Sequence, residues 1–504
     1  MFLNRKISFT AGIICGLSFA PIYFIPGIFM LSILCAQISA STNCKQAANF
    51  GYLFGFGFFL STLYWISFGV SVYIDQFWWA IPFALFGLPA FLALFISAHS
   101  ALAWLFRKTY LYHFIFCALW LFNEWLMSWI FTGLPWGMLG YALSISDIMI
   151  QFSSISGILG LSFTTLYIGS SLFNKNMLAP RITTSIIICV MMVIFGYNRL
   201  QQNPTEFSEI KIRIVQPSIP QNKKWSSDTF WKNLNKQVNL SKKAGDPDII
   251  VWSESALTAP YYYKRIHNSL MSVFTKDTQV LLSGGVNDNA KQNEDYEIYS
   301  SLIAINSNGN LLFDYHKSHL VPFGEYMPLA DYIPIKKLTP GILDYTMGTR
   351  SIMYLKPFHL YIHPLICYES IFADEVRISN SEADIMINVT NDSWYGQSSG
   401  PYQHFEISRM RVVENGLPMI RAANNGISAI IDPVGRTLHR LELNQIDVLD
   451  GYMPLKLLLP TIYSEWGNLI LCLWVLFVLI LQLTISFLCS RILNILRILA
   501  KTTC

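Results

Sequence analysis

Three side chains in the sequence are of the types that together carry out acyl transfer without a histidine. Cys367 closes the run Leu365-Ile366-Cys367-Tyr368-Glu369, Lys317 lies in Tyr315-His316-Lys317-Ser318-His319, and Glu254 lies in Trp252-Ser253-Glu254-Ser255-Ala256. A thiolate is a strong nucleophile, but a free thiol is mostly protonated at neutral pH. A carboxylate beside it can take the proton. A lysine ammonium can stabilise the thiolate and then the oxyanion of a tetrahedral intermediate, together with a backbone N–H near the cysteine. Taken singly, Glu254 and Lys317 read as surface residues at strand ends. Only the set points to chemistry. Ser253 and Ser255 lack the G-x-S-x-G elbow of a serine hydrolase. The nine histidines are scattered, and His316 and His319 flank a lysine without other metal ligands nearby, so no metal is expected.

All three candidates sit at the ends of predicted strands. Residues 209–215 alternate apolar and polar with period two, as a half-exposed strand does. Residues 248–252 and 280–285 are short apolar runs typical of buried strands. Residues 301–305 and 311–313 flank Asn306-Ser307-Asn308-Gly309-Asn310, a hairpin signal. Further strands are predicted over 359–367, 384–389 and 426–431. Helices are predicted over 227–243, opened by Ser227 and Asp228, and over 370–379 and 403–415. This alternation suggests a layered α/β sandwich.

The rest of the chain is a different kind of protein. Of 504 residues 53% are hydrophobic and 13% charged, which excludes a disordered chain, a basic nucleic-acid binder and an ordinary cytosolic enzyme. Residues 1–196 hold seven Lys/Arg and three Asp/Glu, and residues 467–504 hold three Lys/Arg and no acid. The stretch between them carries 25 basic and 28 acidic residues. A membrane helix needs about 20 mostly apolar residues. Seven candidates precede the charged insert, at 7–24, 25–40, 49–70, 77–104, 112–132, 150–173 and 182–197, and an eighth spans 467–488. The expected domains are therefore 1–197 (membrane, seven helices), 198–466 (soluble) and 467–504 (eighth helix and tail).

With eight helices all ten Lys/Arg outside the insert fall on one side, and the short loops near 71–76 and 133–149 have none. The expected orientation puts both termini in the cytoplasm and the insert outside, in the periplasm of a bacterium. Of nine cysteines only Cys367 lies in the insert, so it has no partner there for a disulfide. Glu124 lies in an apolar helix. A carboxylate there makes a polar packing or lipid head-group contact, or sits near the helix end within reach of water; the sequence leaves both open.

The order and context of Glu254, Lys317 and Cys367 resemble the nitrilase, or carbon–nitrogen hydrolase, superfamily. Lys317–Pro328 and Cys367-Tyr368-Glu369 are similar to the membrane-bound apolipoprotein N-acyltransferase family within it. So are Gln216–Trp225, Asn391–Gly396, Gly400–Phe405, Arg421–Ile427 and Leu134-Pro135-Trp136-Gly137. The resemblance implies an α-β-β-α periplasmic sandwich beside an inner-membrane bundle of about eight helices. It implies transfer of an acyl chain from a phospholipid, through a thioester on Cys367, to the α-amine of a diacylglyceryl-modified N-terminal cysteine. It assigns Glu254 as base and Lys317 as oxyanion stabiliser. It also gives supporting roles to Glu325, which orients Lys317, to Tyr368 and Glu369 after the nucleophile, and to Trp225 at the site mouth. It implies no cofactor and no nucleic-acid partner, and a monomer in the lipid bilayer. Ser218 stands where the family often has Asn, and Pro260 comes two residues later than expected. An apolar arm over 328–348 is expected to dip into lipid. The residues alone also allow a hydrolase that passes the thioester to water, or a transporter or receptor with a periplasmic binding domain.

Overall fold

The predicted strands form, in the computed structural model, two stacked sheets. The structure describes residues 4–173, 177–288, 297–328, 330, 332, 337 and 343–502. Two units are separately packed: the chain up to Tyr64 with Pro82–Gln202 and everything from Trp466, and Trp65–Ile81 with Asn203–Glu465. The expected first domain is thus interrupted, because Trp65–Ile81 folds with the soluble unit. Most of the arm expected over 328–348 lies outside the described residues.

In the soluble unit the strands are β1 (Phe207–Gln216), β2 (Ile249–Leu257), β3 (Val280–Asp288), β4 (Ile298–Asn306), β5 (Leu311–His316), β6 (Met353–Leu355), β7 (Leu360–Ile366), β8 (Ile385–Thr390), β9 (Met419–Ala423), β10 (Ser428–Ile431), β11 (Thr437–Leu441) and β12 (Asp447–Pro454). One sheet has the order β12-β1-β2-β3-β4-β5 and the other β11-β10-β9-β8-β7-β6. The central strands β1, β2 and β3 run parallel, as do β7, β8 and β9. Parallel central strands bury both faces. Ile249 and Val251 of β2 accordingly point into the core between the sheets, with Ile362, Ile385 and Ile420 from the other sheet. Ile250 and Trp252 point outward under helix Ser227–Ser241. Helix Gly400–Asn415 covers the outer face of the second sheet through Phe405 and Val412. The layers are α-β-β-α.

The helix expected over 370–379 does not form. Residues Cys367–Ile371 make a 3-10 turn and Ala373–Val376 a single α-turn, separated by extended Phe372. The Glu369 carboxylate folds back onto the Ile366 N–H, which ties that segment to β7 rather than to a helix.

In the other unit, Leu178–Gln202 and Leu469–Ile492 are long and apolar enough to cross a membrane. So is Ile74–Leu105, which begins in the segment assigned to the soluble unit. Helices Ile25–Ala40 and Ser153–Gly169 are apolar but shorter. Among the described residues three helices, not eight, therefore meet that length by themselves. Helix Arg5–Gly16 starts at Asn4 and helix Cys44–Leu63 at Asn43, whose side chains accept from Lys6 N and Gln46 N. Glycines let these helices approach closely. A Cβ at Gly12 would stand 2.0 Å from the Phe54 carbonyl oxygen, and one at Gly57 2.3 Å from that of Phe9.

Glu124 lies within helix Tyr112–Met127 and is buried. Its Oε1 accepts from the Trp120 indole at 3.1 Å and from Leu139 N at 3.0 Å. The water-reached helix end is thereby excluded, and the residue is a packing contact. Glu124→Ala should lower stability by about 2 kcal/mol by orphaning both donors. Glu124→Gln keeps an acceptor oxygen and should lose less. Thermal unfolding in detergent will rank the two; equal losses would contradict the contact.

Candidate active site

Glu254 stands where β2 leaves its ladder. The β1 pairing ends at Trp252, and the β3 pairing shifts register between Trp252 and Leu257. Ser255 adopts a left-handed backbone with φ of 49°. The neighbouring strand must come unusually close here, since a Cβ at Gly284 would meet Glu254 Cα at 2.6 Å. Only glycine permits that approach.

Lys317 follows β5 directly and is 1% exposed. Its backbone is held by Lys317 N donating to Ser300 O and Gly348 N donating to Lys317 O, both at 2.8 Å. Its ammonium donates to Glu254 Oε1 at 3.2 Å and to Glu325 Oε1 at 2.8 Å. The other Glu325 oxygen accepts from Val321 N at 2.8 Å, which fixes that carboxylate in its own turn. Burial alone would push the Lys317 ammonium down, but Glu325 and Glu254 outweigh it and hold the group well above its ordinary range. Burial raises Glu325, with Lys317 opposing.

Cys367 sits at the end of β7 with φ of 48°. A non-glycine residue in that region is strained and is kept there by its surroundings. Those surroundings are hydrogen bonds to the turn. Ser370 Oγ donates to the Cys367 carbonyl at 3.0 Å, and His404 Nε2 lies 3.2 Å from the same oxygen. Burial pushes the Cys367 thiol far up, the Glu254 charge adds to this, and Lys317 opposes it. The thiol is thus within electrostatic reach of both other members of the set, and the fold brings Glu254, Lys317, Glu325 and Cys367 together.

Glu369 is a brace between two loops. Its Oε1 accepts from Tyr315 OH, Ser318 N and Ser318 Oγ, each at 2.7 Å, while Oε2 accepts from Ile366 N at 2.6 Å. It therefore locks the residue after Lys317 to the residue before Cys367. Tyr368 packs its ring against His319 and Phe372. Trp225 is half-buried, and its indole N–H is buried without a partner among the described residues. Ser218 has φ of 48°, a conformation that Asn tolerates better than Ser, so the serine there is strained.

Two features were not assigned from the sequence. Under the nucleophile turn, Asp392 Oδ1 accepts from His404 Nδ1 at 2.8 Å and Oδ2 from Arg421 Nη2 at 3.1 Å, all fully buried. Burial would raise Asp392, but Arg421 and His404 hold its carboxyl low. The polar residues in Asn391–Gly396 and Gly400–Phe405 were the available signal; their meeting across β8 and the helix was not. Asp392→Asn leaves Arg421 buried and uncompensated, and should cost roughly 3–5 kcal/mol in detergent unfolding. A loss under about 1 kcal/mol would show that the pair is not holding the turn. The second feature is Lys224, buried beside Glu254. Its sequence signal was its place in the family-like stretch Gln216–Trp225.

Known proteins resemble the chain along nearly its whole length. The carbon–nitrogen hydrolase family matches residues 211–463, and the apolipoprotein N-acyltransferase N-terminal domain family matches residues 11–171. The chain is similar to an apolipoprotein N-acyltransferase of Rickettsia typhi, at 52% identity over 96% of this chain and 99% of that one. It is similar to that of Brucella melitensis at 37% identity, over 81% of this chain and 80% of that one. A relative of the same name from Rhodopseudomonas palustris is 35% identical over 92% of this chain and 91% of its own.

Proposed function

We propose, from the premise that the chain belongs to the apolipoprotein N-acyltransferase family, that it moves an acyl chain from a phospholipid to the N-terminal amine of a diacylglyceryl-cysteine lipoprotein. The observation that carries the mechanism is the Lys317 ammonium bridging Glu254 and Glu325 beside a thiol on a strained turn.

Glu254 takes the Cys367 proton as the sulfur attacks the ester carbonyl. Lys317 and a backbone N–H after Cys367 stabilise the oxyanion. The intermediate collapses to a thioester, and Glu254 returns the proton to the leaving glycerol oxygen, giving a lysophospholipid. The acceptor amine then attacks the thioester, Glu254 takes the amine proton, and the thiolate leaves to be reprotonated. Glu325 holds Lys317 from the far side, and Glu369 holds both loops. Trp225, with its free indole N–H, is assigned to substrate positioning at the mouth. Two ordinary steps replace one hard one.

On this reading the helical unit supplies about eight membrane crossings in the bacterial inner membrane. Both termini face the cytoplasm, and residues 198–466 face the periplasm as a monomer's catalytic domain. The one-sided Lys/Arg distribution supports that orientation.

Intact mass spectrometry tests the chemistry. Purified protein with phospholipid should gain an acyl-sized adduct on Cys367, and a diacylglyceryl-cysteine peptide should remove it as an amide. Decay of the adduct to free fatty acid with the peptide unmodified would replace the transferase reading with a hydrolase.

A further inference from the structure

The site contains a buried cation that the scheme above does not use. Lys224 ends the four-residue helix Gln221–Lys224 and is 3% exposed. Its ammonium donates to the Glu254 carbonyl oxygen at 2.8 Å. That carbonyl belongs to the residue just beyond the β1–β2 ladder and inside the register break with β3, next to the left-handed Ser255. Lys224 holds that carbonyl where the regular register is interrupted. Burying an ammonium is costly unless charges offset it. Here the charges are plain. Two carboxylates, Glu254 and Glu325, share the single ammonium of Lys317. Lys224 completes a cluster of two acids and two bases.

We propose that Lys224 is a positioning residue. It fixes the backbone of Glu254 and supplies the second positive charge that keeps Glu254 able to take the Cys367 proton. Burial pushes the Lys224 ammonium down to about 7, against the pull of Glu254 and Cys367. Below that value it is charged, and above it the charge is lost. The other groups acting on this cluster are Lys317 and Glu325, the Tyr345 and Tyr395 hydroxyls that feel the Glu254 charge, and the exposed Lys223 on the same helix. Removing the Lys224 charge makes proton loss from Cys367 harder wherever Lys224 is charged. The reactivity of Cys367 below about pH 7 must then fall.

The inference rests on the Glu254–Lys317–Cys367 reading but can be tested without phospholipid. The full chain in detergent is treated with iodoacetamide across a pH series, and alkylation of the Cys367 peptide is followed by mass spectrometry. Lys224→Gln keeps a donor for the Glu254 carbonyl but not the charge. It should lower the alkylation rate at pH 6 about tenfold and leave the rate at pH 9 unchanged, where Lys224 is already neutral. Lys224→Arg keeps the charge and should keep the rate at pH 6. If Lys224→Gln does not purify folded, Lys224→Met, of similar volume and no charge, should show the same loss at pH 6.

A rate lowered equally at pH 6 and pH 9 in the uncharged variants, or lowered at neither, would make Lys224 a packing residue and overturn the proposal. An equal loss at pH 6 in Lys224→Arg would overturn the charge argument as well. A wild-type chain with the expected profile but no acyl adduct from phospholipid would remove the substrate reading and leave this one intact.

Discussion

Cys367→Ala protein incubated with phospholipid will carry no acyl adduct, and its transfer to a lipopeptide amine will fall by on the order of 10⁴ or more. The size follows from the chemistry available. Ser370 and Ser393 are buried hydroxyls near the turn, but their hydrogen bonds go to the Cys367 carbonyl and to Asn425 Oδ1. Ser393 has no base at its oxygen, and Ser370, although His404 Nε2 lies 3.1 Å from its Oγ, is fully buried beneath the turn. The buried thiol is itself held far above its ordinary range, so simple ionisation at neutral pH supplies almost no thiolate. Proton transfer to Glu254 has to accompany attack. Glu254→Gln should therefore also abolish the adduct while leaving Cys367 in place. The measurement is adduct yield after a fixed time for wild type and both variants, with unfolding temperature as a control. An adduct that persists in Cys367→Ala would place the acyl group on another residue and end this mechanism.

The strands were legible because their physics is local. Residues 209–215 alternate, and β1 occupies Phe207–Gln216; within 384–389 the residues Ile385–Ile387 and Val389 are apolar, and β8 is buried along its whole length. The hairpin at Asn306–Asn310 formed where its turn residues stand, between β4 and β5. What was not legible depends on partners distant in sequence. β12 lies far along the chain yet pairs with β1 at the sheet edge, and no pattern within 447–454 names that partner. Trp65 looks like part of an apolar membrane run. It folds with the soluble unit because its indole donates to Gln403 Oε1 at 3.1 Å and its ring meets Tyr395 at 4.6 Å. The site divides the same way. Reactive types at strand ends pointed to Glu254, Lys317 and Cys367. The sequence did not show that Glu369 braces two loops, or that Lys224 turns back onto Glu254, because both are matters of side-chain direction. The count of membrane crossings suffered from the reverse problem. Apolar runs are easy to see, but helix breaks within them, such as the turn after Gly16, shorten the regular segments below a full span.

Lys317→Met has the second-largest expected effect, and it should strike stability and catalysis together. The ammonium is the shared partner of Glu254 and Glu325, at 3.2 and 2.8 Å, and all three side chains are buried. A methionine leaves two carboxylates facing each other with one cation, Lys224, still at the Glu254 backbone. Breaking a buried pair in this way costs about 3–5 kcal/mol. Like charges at that range cannot both remain ionised, so one carboxylate binds a proton at neutral pH. If that carboxylate is Glu254 the base is lost, and if it is Glu325 the oxyanion still lacks its cation. Acylation should fall by about 10³ either way. The pH dependence has a definite sign. A carboxylate whose folded pKa lies above its unfolded value contributes stability that is present at low pH and is lost as pH rises through the folded pKa. The deficit of Lys317→Met relative to wild type should therefore shrink as pH falls. Adding Glu325→Gln removes one of the opposed charges, so the double variant should recover part of the stability and none of the activity, a non-additive pair. Unfolding temperatures at two pH values, with adduct yield for each variant, decide it. A deficit independent of pH, or activity restored in the double variant, would show that Lys317 acts through packing rather than charge.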